Sequence, residues 1–137
     1  MNTELDPLEE HLLDALRALE PSAALRAAPP EVEELWHAQV DSRQADYAAR
    51  WLQQHGRSFY TIGSAGHESN AAVALAVRDD DPALLHYRSG AFYLARAARA
   101  GIEGLRDVML GVVAAASEPI AGGRHKVFGR KELDSCR

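Results

Sequence analysis

A chain of 137 residues with 47% hydrophobic and 26% charged residues has the composition of one globular domain, which excludes disordered and collagen-like classes. Its longest apolar runs, Ala71 to Val77 and Val112 to Ala116, fall far short of the roughly 18 to 20 residues that span a bilayer, so no membrane partner is expected. The net charge of −5 is uneven: residues 1–55 carry eleven acids against four bases and residues 122–137 two against five, and Arg124, Lys126, Arg130, Lys131 and Arg137 are too few to make a duplex-binding stripe, so no nucleic-acid partner is expected.

Met1 is followed by Asn2, Thr3, Glu4 and Asp6, where an export signal would be basic and then apolar. The single cysteine, Cys136, offers neither a disulfide framework nor a thiolate cluster. A cytoplasmic protein is expected.

Leu8, Leu12, Leu13, Leu16 and Leu19 recur at helical spacing and predict a short amphipathic helix that ends at Glu20 and Pro21. Residues 22–30 are Ala-rich and close on two prolines, the signature of a linker leading into a helix start. From Glu31, the positions Val32, Leu35, Trp36, Val40, Tyr47, Ala48, Trp51 and Leu52 predict one face of a long helix that stops at Gly56. Residues 58–62, Ser-Phe-Tyr-Thr-Ile, are β-branched and aromatic and predict a strand. Gly63 and Gly66 bracket a turn, and residues 68–77 read as a buried helix.

After the turn Asp79-Asp80-Asp81-Pro82, residues 84–87 read as a short buried strand. Ser89 is placed to cap a helix that runs to Ala100, Gly101 closes it, and residues 102–110 form another helix before a loop-like tail. Strands alternating with helices predict an α/β class, helix-rich.

The six histidines, His11, His37, His55, His67, His86 and His125, show no metal-ligand spacing, and His67-Glu68 lacks the second histidine of a zinc-protease helix because Ala71 stands there. No metal residue is assigned. Tyr87-Arg88-Ser89-Gly90 is more informative, because a strand end meeting a helix start presents amide donors to an anion and an arginine adds a bidentate fork. The plain alternative is a surface ion pair. Gly122-Gly123-Arg124-His125-Lys126 is a donor-rich loop that could close over an anion, or else a solvated tail.

Taken together, Phe59-Tyr60-Thr61-Ile62-Gly63-Ser64-Ala65-Gly66-His67-Glu68, then Leu85-His86-Tyr87-Arg88-Ser89-Gly90-Ala91, then Glu118-Pro119 and Gly122-Gly123-Arg124-His125-Lys126-Val127-Phe128-Gly129 resemble the N-terminal part of the α subunit of thiamine-diphosphate-dependent 2-oxo acid dehydrogenases. The resemblance covers about residues 30 to 133, and Gly66-His67-Glu68 leans toward the branched-chain, 2-oxoisovalerate type. It implies the N-terminal portion of a thiamine-diphosphate-binding fold, with residues 31–137 as a truncated α-type domain, while residues 1–30, read above as an N-terminal helix and linker, add nothing to it.

The resemblance further implies an oxidoreductase component that decarboxylates a branched-chain 2-oxo acid and passes the acyl group to a lipoyl arm. Thiamine diphosphate and magnesium are the implied cofactors of the completed enzyme. A β-type subunit or downstream domain and a lipoyl acyltransferase component are the implied partners. Tyr87 and Arg88 would contact the diphosphate, Tyr60 would line the cofactor and substrate pocket, Ile62 would face an apolar substrate, and His125 would be the catalytic acid-base group. Val127 stands where many relatives keep a histidine, and the family's Gly-Asp-Gly…Asn magnesium motif has no counterpart in the sequence. The expectation is therefore a fragment that is inactive alone. The rival expectation is a non-catalytic helical interaction module whose acidic first 55 residues form an assembly surface.

Overall fold

The structure, a computed structural model, describes residues 7–19, 30–125 and 127–133. Most of the expected linker, together with Lys126, Cys136 and Arg137, lies outside the described residues. Five α-helices follow in order: α1 (Pro7–Arg17), α2 (Pro30–Gln54), α3 (Asn70–Ala76), α4 (Gly90–Arg99) and α5 (Gly104–Val112), with a 3-10 turn at Lys131–Leu133.

α2 starts on a proline whose missing N–H costs nothing at that position, and Glu31 and Glu33 sit at its positive end. It stops at Gly56, which takes φ +67° while the Arg57 amide reaches back to the Leu52 carbonyl at 2.8 Å, a glycine-closed helix end. The buried face differs from the expected one. Ala38, Ser42, Ala45, Asp46 and Ala49 point inward, whereas Trp36 is 63% exposed and Val32 47%. Small residues at helical spacing let α2 approach α3 and α4 closely, so the bulky residues flank the contact.

α4 is the centre, packed against α2, α3 and α5, and its residues from Gly90 to Ala97 are all buried. Its first turn is capped from outside: the Phe92 amide donates to Asn70 Oδ1 at 2.9 Å. Ser89, the expected cap, makes no cap bond and its Oγ instead accepts the His86 amide. Gly101 closes the helix at φ +68°, with the Ile102 amide bonded to Ala97 O at 2.8 Å. α5 then crosses so tightly that a Cβ on Gly104 would lie 2.7 Å from Ala97 Cβ.

Among the described residues there is no strand, which corrects the α/β expectation to a helix-rich fold without a sheet. The two expected strands form loop and turn without a ladder, and part of their polar backbone meets side chains instead, the Tyr60 amide donating to Ser58 Oγ and the His86 amide to Ser89 Oγ. Ser58 Oγ donates toward the carbonyls of Tyr60 and Val112, and the amides of Gly63 and Ser64 donate to Asp46. Residues 84–87 are not a buried strand either, since Leu84 is 88% exposed while Leu85 packs on the core. α3 buries only Ala71 and Ala74 and leaves Val73 exposed, so it is half-buried rather than buried.

Part of the tail packs on the body of the fold, although Arg124, His125, Lys131 and Glu132 are exposed. Phe128 and Leu133 are in the core, and Phe128 stacks against Tyr93 with centroids 6.2 Å apart. Arg130 donates to both oxygens of the buried Asp107, at 2.7 and 3.1 Å. Arg96 is also buried and holds the 78–81 turn, donating to Asp81 O at 2.7 Å and Arg78 O at 2.9 Å. No helix among the described residues is long and apolar enough to cross a membrane.

Candidate functional site

The 58–66 segment runs from α2 toward α3, and its turn is fastened to α2 at two points. Asp46, 0% exposed, accepts the Gly63 amide at 2.8 Å and the Ser64 amide at 3.3 Å and pairs with Arg50 one turn on at 3.2 Å. Glu68 pairs with Arg43 of α2 at 2.7 Å and accepts the Ser64 hydroxyl at 3.3 Å. Gly63 takes φ +62°, a left-handed conformation that suits glycine.

Across this turn lies Arg88, two residues before α4. Its Nη1 donates to the Gly63 carbonyl at 3.2 Å and its Nε to the Tyr87 hydroxyl at 3.1 Å. The guanidinium also lies 5.2 Å from the centre of the Tyr87 ring, within cation–π range. Both residues are half-buried. The structure thus joins Tyr87 and Arg88 to the Gly63 turn, 25 positions away.

Tyr60 lies beside Gly111 and Glu118: a Cβ on Gly111 would be 3.8 Å from the Tyr60 hydroxyl and 3.9 Å from Glu118 Cγ. Burial pushes the Tyr60 phenol above its ordinary value, and the nearby Glu118 carboxylate adds to the rise. Glu118 organises the Gly-rich loop, its oxygens accepting the amides of Ile120, Ala121 and Gly123 at 3.0, 2.6 and 3.2 Å. Ile62 is 2% exposed and belongs to the core. His125 is exposed in the loop after Gly123, and no hydrogen bond between described residues joins it to Arg88 or Tyr87.

Asp46, Glu68, Glu118 and Asn70 were not singled out by spacing. A carboxylate on the small-residue face of α2 and an Asn just ahead of an Ala-rich helix are the signals that could have marked two of them.

A separate open groove of about 1010 Å³ lies between α2, α4 and α5, floored by residues such as Leu94, Ile102 and Met109 and edged by Glu33, Asp41 and Glu103. It contains none of the residues above. Among the described residues no group of three or more His, Cys, Asp or Glu could hold a metal ion. No family model, curated protein or solved structure matches the chain.

Proposed function

We propose that the chain is the N-terminal, α-type portion of the decarboxylating component of a branched-chain 2-oxo acid dehydrogenase, and that its site holds the diphosphate of thiamine diphosphate. The observation that carries the reading is the meeting of Arg88 and Tyr87 with the Gly63 turn at the start of α4. A guanidinium has five N–H donors in a fixed fork, and two of its nitrogens are already oriented by protein oxygens. The donor set fits a diphosphate. Among the described residues no group of three or more His, Cys, Asp or Glu is placed to hold a metal ion.

When bound, the cofactor supplies the carbanion-stabilising ring needed for decarboxylation. The chain's own work is placement. Arg88 binds and orients the diphosphate, Tyr60 would line the cofactor and substrate pocket of the completed site, and His125 would hold or move a proton near the substrate carboxylate when its loop closes, whereas Ile62, buried in the core, faces no substrate in the chain as it stands. A β-type chain or downstream domain completes the site, and a lipoyl acyltransferase component takes the acyl group. The cytoplasm is the proposed compartment.

Calorimetric titration with thiamine diphosphate and magnesium tests this, using the chain alone and mixed with the β-type component of a branched-chain dehydrogenase. Saturable binding only in the mixture is expected. No binding in the mixture overturns the assignment, and micromolar binding by the chain alone overturns the shared site.

A second reading, a non-catalytic helical interaction module, is favoured by α1, whose Leu12 and Leu16 are 57% and 52% exposed along one face. Partner capture that needs α1 but no cofactor would favour it.

A further inference from the structure

We infer that Asp46 is the positioning residue for Arg88, acting through the Gly63 turn. The role in ligand binding rests on the diphosphate reading above, whereas the orientation of the side chain does not.

A carboxylate that is fully buried on a helix face is costly unless it is hydrogen-bonded, and a small apolar residue would fit the Ala38, Ala45, Ala49 face of α2 at lower cost. Beyond its pair with Arg50 one turn on, Asp46 has both oxygens turned to another segment, accepting the amides of Gly63 and Ser64. Those bonds fix the peptide planes on either side of Gly63 while φ +62° sets the bend. The carbonyl of that residue then accepts Arg88 Nη1 at 3.2 Å. The opposite end of the turn is tied to α2 by the Arg43 to Glu68 pair, so the turn has little freedom to slide.

The second corner of the guanidinium is set by the Tyr87 hydroxyl at 3.1 Å. With Nε and Nη1 both directed, the remaining donors have a defined orientation before any ligand arrives. A free arginine side chain carries a large rotamer entropy. Restricting that freedom in advance lowers the cost of binding. Asp46 thus sets how well Arg88 is aimed without touching an anion itself.

The test uses the full chain with a 15N-labelled Arg88 side chain and inorganic pyrophosphate as the probe. In the wild type the heteronuclear NOE of Arg88 Nε should match that of the α4 backbone, and pyrophosphate should shift the Nε signal with an affinity on the order of millimolar, as one fork of charge-assisted bonds supplies. In Asp46→Asn the NOE should fall, and the dissociation constant should rise about tenfold. Asp46→Glu, which keeps the charge but moves the carboxylate by one methylene, should act the same way and serves if the asparagine variant does not fold.

A low wild-type NOE overturns the inference without recourse to any variant, as does an unchanged NOE in a folded Asp46 variant. A lowered NOE with unchanged affinity also overturns it as a binding device. A high wild-type NOE that falls in the Asp46 variant, in a protein that does not bind pyrophosphate, upholds the positioning and overturns the anion-binding reading.

Discussion

Tyr93 and Asp107 are joined by a 2.6 Å hydrogen bond inside the contact between α4 and α5, and the same carboxylate receives Arg130 from the tail at 2.7 Å. One buried acid therefore ties two helices to the segment that follows the Gly-rich loop. Tyr93→Phe keeps the ring on Phe128 but removes the donor, and should cost about 2 kcal/mol, the worth of a hydrogen bond to a charged group. Urea denaturation checks it, and a midpoint equal to the wild type's would show that Arg130 alone satisfies Asp107.

The same triad predicts an acid response. Burial by itself would raise the Asp107 carboxyl, but hydrogen bonds from Arg130 and Tyr93 outweigh it and hold the group below its ordinary value of 3.8, while burial and Asp107 push the Tyr93 phenol up. A lowered carboxyl stabilises the fold fully above its unfolded value, and this contribution is lost as pH falls from about 3.8 through the folded value. Stability measured between pH 6 and pH 2 should show that loss. In Asp107→Asn the curve should start lower and be flatter in the acid range; an unchanged slope would assign the acid loss to other carboxylates.

Gly123 predicts a difference between neighbouring glycines. At φ +72° a Cβ there would lie 2.3 Å from the Ala114 carbonyl carbon, a backbone atom with no room to retreat. Gly123→Ala should therefore destabilise by at least about 2 kcal/mol. At Gly122 the nearest atom would be Ala116 O at 3.5 Å, leaving only the conformational cost of about 1 kcal/mol. Equal denaturation midpoints for the two variants would count against the close approach of the 114 and 123 backbones.

Helix content was legible because it is written locally: the double proline before α2, the glycines at 56 and 101 and the 3.6-residue period act within one or two turns. Residues 58–62 misled, because a β-branched and aromatic run does not reveal that the Ser58 hydroxyl will bond the Val112 carbonyl and the turn that follows will bond Asp46 of α2 in place of a ladder. Trp36 misled for a similar reason. Hydrophobic period marks the greasy face, whereas close helix contact selected the alanines of α2 instead. Tyr87 and Arg88 could be singled out as neighbours, yet their link to Gly63 spans 25 positions and exists only after folding. The packing of Phe128 and Arg130 was hidden by a basic composition that reads as solvated tail.

The proposed diphosphate site carries a prediction for Arg88 in the enzyme that reading implies. Arg88→Ala should weaken apparent affinity for thiamine diphosphate by about 1.5 to 3 kcal/mol, and Arg88→Lys should recover only part, because an ammonium is a point charge and cannot span Gly63 O and Tyr87 Oη with a fork. Cofactor titration of the reconstituted enzyme reads both. Unchanged affinity in Arg88→Ala would reduce the residue to a surface cation.

His125 sets the last prediction because, exposed as it stands, it can serve the proposed site only if its loop closes. The loop it occupies is held at its start by the three amides on Glu118 and beyond its end by Phe128 and Arg130 in the core, so movement between these anchors would be a local closure. In the exposed position His125 is in water and has no bond to Arg88 or Tyr87 among the described residues. If closure delivers it to the substrate, His125→Asn in the completed enzyme should lower turnover by roughly 100-fold, the typical share of a positioned acid-base group, with cofactor affinity near normal. A pre-steady-state decarboxylation assay with 2-oxoisovalerate separates the two quantities. A wild-type rate in the variant would mean that the anchors hold the histidine in solvent throughout, and that proton transfer belongs to another residue.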